Sequence, residues 1–211
     1  MMPEPMQQVG PEAVLGAAMT DTYAVLAVLL ARAPKPGFLL QLRHAEWHPG
    51  LPEKLNRAYG GLRHAAGVYP HEAVEREFEA LFVGLGAGEV VPYASWYRER
   101  TLMALPLARL RSDLNKMGIG RRIGVHEAED HAALLCEAVA LLRQQPRITP
   151  EAYARFIRDH VTSWMFDFFG DVYKAPSVGF YRSVACLGKC LLQLESIDSM
   201  PPHTPRKTLH E

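Results

Sequence analysis

The sequence has no excess of charge of either sign. Its 211 residues include 23 lysines plus arginines and 23 aspartates plus glutamates, so the formal net charge is zero with histidine neutral. A neutral chain offers no overall field to attract a polyanion or an acidic lipid surface. We therefore expect no nucleic-acid partner and no membrane partner.

Cysteine is scarce. The three cysteines, Cys136, Cys186 and Cys190, are odd in number and contain no C-x-x-C pair. This pattern argues against a disulfide framework and against a thiolate zinc site. We expect reduced and mostly buried thiols.

An export signal and a long apolar run are also missing. Residues 1–10 contain no basic segment followed by an apolar segment, as a signal peptide would. The longest apolar run, residues 24–31, is much shorter than the roughly 20 residues needed to span a bilayer. These observations favour a cytoplasmic protein.

No useful strand alternation and no internal repeat is present, and apolar residues recur instead at helical spacing. We predict an all-α, single-domain helical bundle with about 60% helix, above the ordinary third. The domain is expected to cover residues 11–196, between a flexible N-terminus (residues 1–10) and a disordered, proline-rich tail (residues 197–211).

Apolar stripes and breakers predict the main helices. Pro34 ends the first of them, and Gly118 caps a long helix over residues 95–117. Another helix is expected over residues 127–143, with His131 on its apolar face and three acids in its first turn. The remaining predicted helices cover residues 38–43, 52–66, 72–83, 150–168 and 177–194.

Signatures of catalysis and of cofactor binding are weak. His126 and His131 are five residues apart, whereas two histidines four apart on a helix would reach one zinc ion. The glycines of residues 84–88 lack the register of a phosphate-binding loop, and Ser95 lacks the context of a hydrolase nucleophile. We expect no catalytic residue, no metal and no cofactor. The alternatives of another class are a metal-dependent hydrolase and a structural oligomerisation protein.

Two groups have both a structural and a functional interpretation. Asp130 and His131 are either a satisfied pair in the core or part of a binding site, in which Glu127, Glu129 and Asp130 attract guanidinium groups. The aromatic residues of the segment Val91–Tyr97 either fill the core or anchor a bound peptide.

Four segments of the sequence form a pattern when they are taken in order. They are Glu77-Phe78-Glu79-Ala80-Leu81-Phe82-Val83-Gly84, Val91-Pro92-Tyr93-Ala94-Ser95-Trp96-Tyr97, Glu127-Ala128-Glu129-Asp130-His131 and His160-Val161-Thr162-Ser163-Trp164. In order, they resemble the L-F-x-G turn, the P-Y-x-S-x-Y segment, the E-P-x-D-H helix start and the H-x-x-x-W element of the TorD/DmsD/NarJ family of redox-enzyme maturation chaperones. The resemblance covers nearly the whole chain. The sequence departs from this pattern at Ala128, where proline is usual, and at Trp96, where a smaller residue is common.

The resemblance implies a cytoplasmic chaperone that binds the twin-arginine signal peptide, the apo form, or both, of a molybdenum-cofactor oxidoreductase of the dimethyl sulfoxide reductase type. It would aid cofactor insertion and delay export until folding is complete. The alternative is a chaperone of a non-exported nitrate-reductase-type subunit. Cofactor-biosynthesis proteins and the translocase are further candidate partners. Some members bind guanine nucleotide weakly or form domain-swapped dimers, so the chain is expected to be a monomer or such a dimer.

The residues expected to bind the client combine carboxylates with apolar and aromatic side chains. They are Leu81, Phe82, Pro92, Tyr93, Ser95, Trp96, Tyr97, Glu127, Glu129, Asp130 and His131. His160 and Trp164 are expected to serve as a structural motif, again by the resemblance.

Overall fold

The structure is a computed structural model that describes residues 10–45, 50–84, 88–120, 124 and 127–198. Within these residues it contains helices and no β-strand, which confirms the all-α prediction. The α-helices are α1 (Pro11–Ala31), α2 (Pro36–His44), α3 (Glu53–Val68), α4 (His71–Phe78), α5 (Ala94–Glu99), α6 (Leu105–Lys116), α7 (Ala132–Arg143), α8 (Pro150–Phe156), α9 (Ser163–Lys174) and α10 (Phe180–Asp198). Two π-helical segments, Glu79–Val83 and Ile157–Thr162, extend α4 and join α8 to α9.

The core lies around α7 and α10. Helix α7 packs along α1 and is buried at Leu135, Cys136 and Val139. Helix α10 packs against α3 on one side and α9 on the other. Because both central helices carry an apolar stripe at helical spacing, one hydrophobic cluster connects most of the bundle.

Proline marks several helix starts. Helices α1, α2, α6 and α8 each have a proline in the first two positions, where the missing amide hydrogen is not needed. The side chain of Thr149 accepts a hydrogen bond from the Ala152 amide, at 3.3 Å, and so caps α8. The predicted start of this helix is confirmed.

Helix α1 is long and apolar enough to cross a membrane by length and composition alone. A core helix of a soluble bundle passes the same test. In this structure, α1 packs against α7 and buries Met19, Thr22, Tyr23, Leu26, Leu29 and Leu30.

The predicted helix over residues 95–117 is wrong in its continuity, because the chain forms two helices there. The break between α5 and α6 contains Arg100 and Met103 with φ of 54° and 57°, in the left-handed region. A continuous helix has no place for such residues. Gly118 follows α6 with φ of 72°, as expected for a glycine after a helix end.

The predicted helix over residues 127–143 starts later, at Ala132. Glu127, Glu129 and Asp130 therefore precede the helix instead of forming its first turn. The reason is tertiary: the Ala94 amide donates to the Asp130 carbonyl at 3.0 Å, and the Ala132 amide donates to the Pro92 carbonyl at 2.8 Å. These two bonds hold the segment extended against the chain that leads into α5.

Helix α10 has its N-terminus capped from a distant part of the chain. The buried Glu77 carboxylate, on α4, accepts hydrogen bonds from the amides of Gly179, Phe180 and Tyr181 at 2.8, 2.8 and 2.7 Å. A carboxylate at this place satisfies amides that lack a partner within the helix and interacts favourably with the helix dipole. This contact joins residues 102 to 104 positions apart in the chain.

Several sequence predictions fall outside the described residues. They concern residues 85–87 of the glycine-rich turn, His126 of the rejected zinc pattern, residues 1–9 of the N-terminus, and the tail from residue 199 onward.

Candidate functional site

A hydrogen-bonded junction connects Ser95, on α5, with Asp130. The Ser95 amide donates to Asp130 Oδ2 at 3.0 Å, and the Ser95 hydroxyl donates to the same oxygen. Only 1% of Asp130 is exposed. Its other oxygen, Oδ1, is buried with no hydrogen-bond donor among the described residues. Asp130 therefore holds the start of α5 against the segment before α7, and its carboxylate is not on the surface.

His131 caps α7. Its Nδ1 accepts a hydrogen bond from the Ala133 amide at 3.1 Å, and its ring lies edge-on to the Tyr93 ring with 5.0 Å between the centroids. Burial lowers the pKa of His131, and the negative charges of Glu127 and Asp130 only partly oppose this shift. The neutral imidazole is the form that can accept the capping bond. The prediction that His131 lines the apolar face of the helix is therefore wrong in detail, since it occupies the cap position.

Tyr93 connects this junction to the surface. Its hydroxyl donates to Glu127 Oε1 at 2.7 Å, and Glu127 is exposed. Burial, and secondly the hydrogen bond to Glu127, raise the pKa of Tyr93 well above its usual value. The pair is therefore a neutral hydroxyl that donates to a surface carboxylate.

Tyr97, one turn further along α5, makes a similar contact. Its hydroxyl donates to Asp171 Oδ2 at 2.8 Å, and its ring packs on Trp164 and Phe168. Burial, and secondly the hydrogen bond to Asp171, raise the pKa of Tyr97. Asp171 is exposed, on α9, and one turn after the exposed Asp167.

Phe82 extends the aromatic surface. This half-buried ring lies 6.4 Å from Phe168 and 5.4 Å from Tyr181, measured between centroids. Tyr97 also packs on Phe168, so Phe82 and Tyr97 rest on the same buried ring. The neighbouring Leu81 is fully buried and belongs to the core.

Trp96 lies beside Tyr97 and is half-buried. The guanidinium carbon of Arg100 lies 5.8 Å from the centre of its ring, within the range of a cation–π contact. Pro92, which precedes this helix, is buried. Trp96, where the family pattern has a smaller residue, thus places a large aromatic ring beside Tyr97.

Glu129 faces a different environment. It forms an ion pair with Arg111 of α6, with nitrogen–oxygen distances of 2.7 and 2.8 Å. It also lines a cavity of about 320 Å³ between α6 and α7, together with Leu134 and Leu141. Of the three predicted acids, Glu127 is the one with an exposed carboxylate beside the aromatic rings.

His160 and Trp164, for which a structural role was predicted, are directly connected. The indole of Trp164 donates to the His160 carbonyl at 2.8 Å, and His160 Nε2 lies 2.9 Å from Asp113 Oδ2. Hydrogen bonds from Lys116 and then from His160 lower the pKa of Asp113, although burial opposes them. Trp164 is 1% exposed, and the pair fixes α9 beneath the ring of Tyr97.

We call one surface the α5 face. It consists of the half-buried rings of Phe82, Tyr93, Trp96 and Tyr97, with the carboxylates of Glu127 and Asp171 bonded to its two tyrosines. Asp171 was not predicted, because the expected helix stopped at residue 168. Its pairing with Asp167 at helical spacing is the signal that could have indicated an acidic face. In the described ranges, no group of three or more histidine, cysteine, aspartate or glutamate side chains is arranged to hold a metal ion.

Comparison with known proteins identifies the family. The sequence profile of the nitrate reductase delta subunit family matches residues 48–170, which is more than half of the chain. The chain belongs to this family. The match includes α3 to α8 and most of α9, and therefore contains every residue of the α5 face except Asp171.

Individual relatives agree with this membership. The chain is 26% identical over 127 residues to a protein of Haemophilus influenzae described as a probable Tat proofreading chaperone, DmsD. That match covers 59% of this chain and 61% of the relative, so the chain spans less than two thirds of the relative's length. A crystal structure from Archaeoglobus fulgidus, named for redox enzyme maturation, has a TM-score of 0.59 at 14% identity. It covers 91% of this chain and 99% of its own, and shows that the fold is shared. The predicted membership of the TorD/DmsD/NarJ family is confirmed.

Proposed function

We propose that this family member is a cytoplasmic, non-catalytic chaperone for the precursor of a redox enzyme, and that the α5 face binds the arginine-containing signal peptide of that precursor. One observation carries the proposal: Tyr93, at the N-cap of α5, and Tyr97, within α5, each donate a hydrogen bond to a surface carboxylate beside other half-buried aromatic rings. The chaperone description of the relative supports the same function. We further propose a client with a molybdenum cofactor, of the dimethyl sulfoxide reductase type.

The chemistry of a twin-arginine peptide suits this surface. Two guanidinium groups need carboxylates, and the apolar stretch that follows them needs a hydrophobic surface. Glu127 and Asp171 would supply the carboxylates, while Trp96 and Phe82 would cover apolar side chains. Asp130 and His131 would act as positioning residues, because they hold Tyr93 and α5 in place.

The expected affinity is moderate. Burying two or three apolar groups contributes roughly 1.5 to 3 kcal/mol each, and ordering the peptide opposes binding. The balance corresponds to a Kd of about 1 μM. A chaperone that must release its client requires affinity of this order.

Titration calorimetry with a synthetic peptide tests the proposal. The peptide has two adjacent arginines followed by an apolar stretch, and a matched peptide has two lysines. We expect Glu127→Gln combined with Asp171→Asn to weaken the binding of the arginine peptide about tenfold, since each exposed charge pair contributes up to about 1 kcal/mol. Trp96→Ala should weaken it by a similar factor or more, as for a buried aromatic anchor.

A matched control removes two exposed acids elsewhere. Glu12→Gln combined with Asp21→Asn, on α1, makes the same change in net charge away from the α5 face. This variant should bind like the wild type. Equal affinity of the Glu127/Asp171 variant and the control variant would refute the assignment of the site.

A second candidate function has its own support, namely the name of the matched family. In that case the client would be a nitrate-reductase-type subunit without an export signal. Recognition of arginine contributes to binding only if the client carries the twin-arginine signal peptide. Equal affinity for the arginine and lysine peptides would therefore favour the client without an export signal. Identification of the protein that co-purifies from native extract decides between them.

A further inference from the structure

A basic groove lies between α3 and α10, on residues to which the proposed function assigns no role. Its volume is about 760 Å³. Among the described residues that line it there is no aspartate or glutamate, although the whole chain has equal numbers of acids and bases. Its cationic residues are Lys54, Arg57, Arg182 and Lys189, and His64 lies among them.

Two of the cations lie beside an aromatic ring. The guanidinium of Arg182 and the ammonium of Lys189 lie 5.5 and 5.7 Å from the centre of the Tyr173 ring. The two charges therefore converge on one aromatic side chain. Arg57 pairs with Glu53, but both side chains are largely exposed, so this pair contributes little and leaves Arg57 able to reorient.

Part of the groove lining, which we call its floor, consists of small residues of α3 and α10. These residues are Ala58, Gly61, Ala65 and Ser183. A Cβ atom added at Gly61 would have its nearest neighbour, the Ser183 hydroxyl, 4.0 Å away, so the backbone is open there. Val68 and Tyr69 add apolar surface at one end.

The length of the groove indicates the kind of occupant. Its lining runs from Lys54 to Val68 on α3, a rise of about 21 Å at 1.5 Å per residue. On α10 it runs from Arg182 to Gln193, a rise of about 16 Å. An elongated segment fills such a space, whereas a single phosphate group would contact only one end.

We propose that the α3/α10 groove binds an acidic, amphipathic helical segment of a partner protein, whose glutamates or aspartates face Lys54, Arg182 and Lys189. Small apolar side chains of the segment would lie on the floor, as in other helix-in-groove contacts. A protein segment suits the groove better than a nucleic acid, because the groove mixes cations with apolar surface and the net charge of the chain is zero. This groove shares no residue with the α5 face.

Fluorescence anisotropy with defined peptides tests this proposal on the full chain. The probe is a labelled 15-residue helical peptide with leucines on one face and glutamates on the other, and the matched peptide has glutamine at each glutamate. We expect micromolar binding of the glutamate peptide at low salt, weaker binding at high salt, and little binding of the glutamine peptide. Arg182→Glu combined with Lys189→Glu should weaken binding about tenfold or more.

The control reverses two exposed charges outside the groove, with Lys35→Glu and Arg109→Glu. It should bind the peptide within about twofold of the wild type, since only local charges contribute at moderate salt. Circular dichroism checks folding, and the milder Lys189→Gln variant replaces the double reversal if that variant is unfolded.

Alkylation of Cys186 can show whether the peptide binds in the groove. It is the exposed one of the three cysteines and lines the groove, whereas Cys136 and Cys190 are buried. Bound peptide should slow the alkylation of Cys186 by iodoacetamide, as measured by mass spectrometry.

Four results would overturn the proposal. Two concern the peptides: no binding of the glutamate peptide at 100 μM, which is about the limit of a useful contact, or equal binding of the glutamine peptide. The other two are a rate of Cys186 alkylation that bound peptide does not change, and stronger competition by an RNA oligomer or by pyrophosphate than by unlabelled peptide. The groove variants should keep wild-type affinity for the arginine peptide, so the failure of this proposal is distinguishable from failure of the proposed function.

Discussion

The cap that Glu77 provides for α10 leads to a quantitative prediction about stability. Its carboxylate accepts three amide hydrogen bonds at 2.7 to 2.8 Å, and two of the donors, Phe180 and Tyr181, are fully buried. A hydrogen bond to a charged group contributes about 1.5 to 3 kcal/mol, and water can replace the bond of the half-buried Gly179. Glu77→Ala leaves at least two buried amides without an acceptor, so we expect a loss of about 3 to 5 kcal/mol.

Glu77→Gln removes the negative charge of this side chain but keeps its shape. Gly179 and Tyr181 donate to Oε1, whereas Phe180 donates to Oε2. A glutamine keeps one acceptor for the first two amides but places an amino group against the third. We expect an intermediate loss of about 2 kcal/mol, the cost of one buried unsatisfied donor.

Urea unfolding followed by circular dichroism at 222 nm measures these changes as a shift in midpoint at constant slope. Glu75→Gln is the matched control, because Glu75 is exposed on the same helix, and we expect it to change the free energy of unfolding by less than about 0.5 kcal/mol. If Glu77→Gln is as stable as this control, the reasoning that the distant carboxylate stabilises the start of α10 is refuted.

Two further predictions concern pH and a buried ion pair. Burial lowers the pKa of His131 below its unfolded value of 6.5, so the folded state binds a proton at this imidazole less readily than the unfolded state does. The neutral imidazole therefore contributes its full stabilisation above about pH 6.5, and this stabilisation is lost as the pH falls. His131→Asn keeps a capping side chain that does not titrate. Urea unfolding at pH 7.5 and at pH 5.0 should show that the variant loses less free energy of unfolding between these two pH values than the wild type does. An equal loss in the variant and the wild type would contradict the role given to His131. The buried Glu195 accepts hydrogen bonds from Arg143 at 3.0 Å and from Tyr153 at 2.6 Å. Glu195→Leu leaves the Arg143 cation without this partner and should cost about 3 to 5 kcal/mol, whereas Glu195→Leu combined with Arg143→Met should cost less. Calorimetric unfolding that shows the double variant to be no more stable than Glu195→Leu would refute this explanation.

Part of the candidate site could be predicted from the sequence because its residues are close together in the chain. The segment Val91–Tyr97 concentrates three aromatic residues, and Glu127 with Asp130 and His131 forms a short acidic cluster. Sequence alone predicted that these two segments act together. It did not separate the acid that lies on the surface from the acid that is buried, because Ser95 takes Asp130 out of solvent through a contact 35 residues away.

The helical content and the apolar stripes were predictable because helical periodicity is a local property. Val184, Leu187 and Leu191 of α10 are buried as their spacing predicted. The stop of α5 after Glu99 and the late start of α7 were not predictable in this way. The late start of α7 depends on backbone hydrogen bonds with the segment before α5, and local propensity carries no information about such partners. The stop of α5 coincides with the left-handed backbone of Arg100, a conformation that this residue type does not predict.

By itself the sequence determined the all-α class, the positions of most helices and the family, since all three follow from residues near one another in the chain. Only the tertiary structure decided which carboxylates are accessible, that Asp171 joins the α5 face, and that Glu77 caps a helix more than 100 residues away. The physical reason is that burial and hydrogen-bond partnership are properties of distant segments brought into contact, and these contacts exist only after the chain has folded.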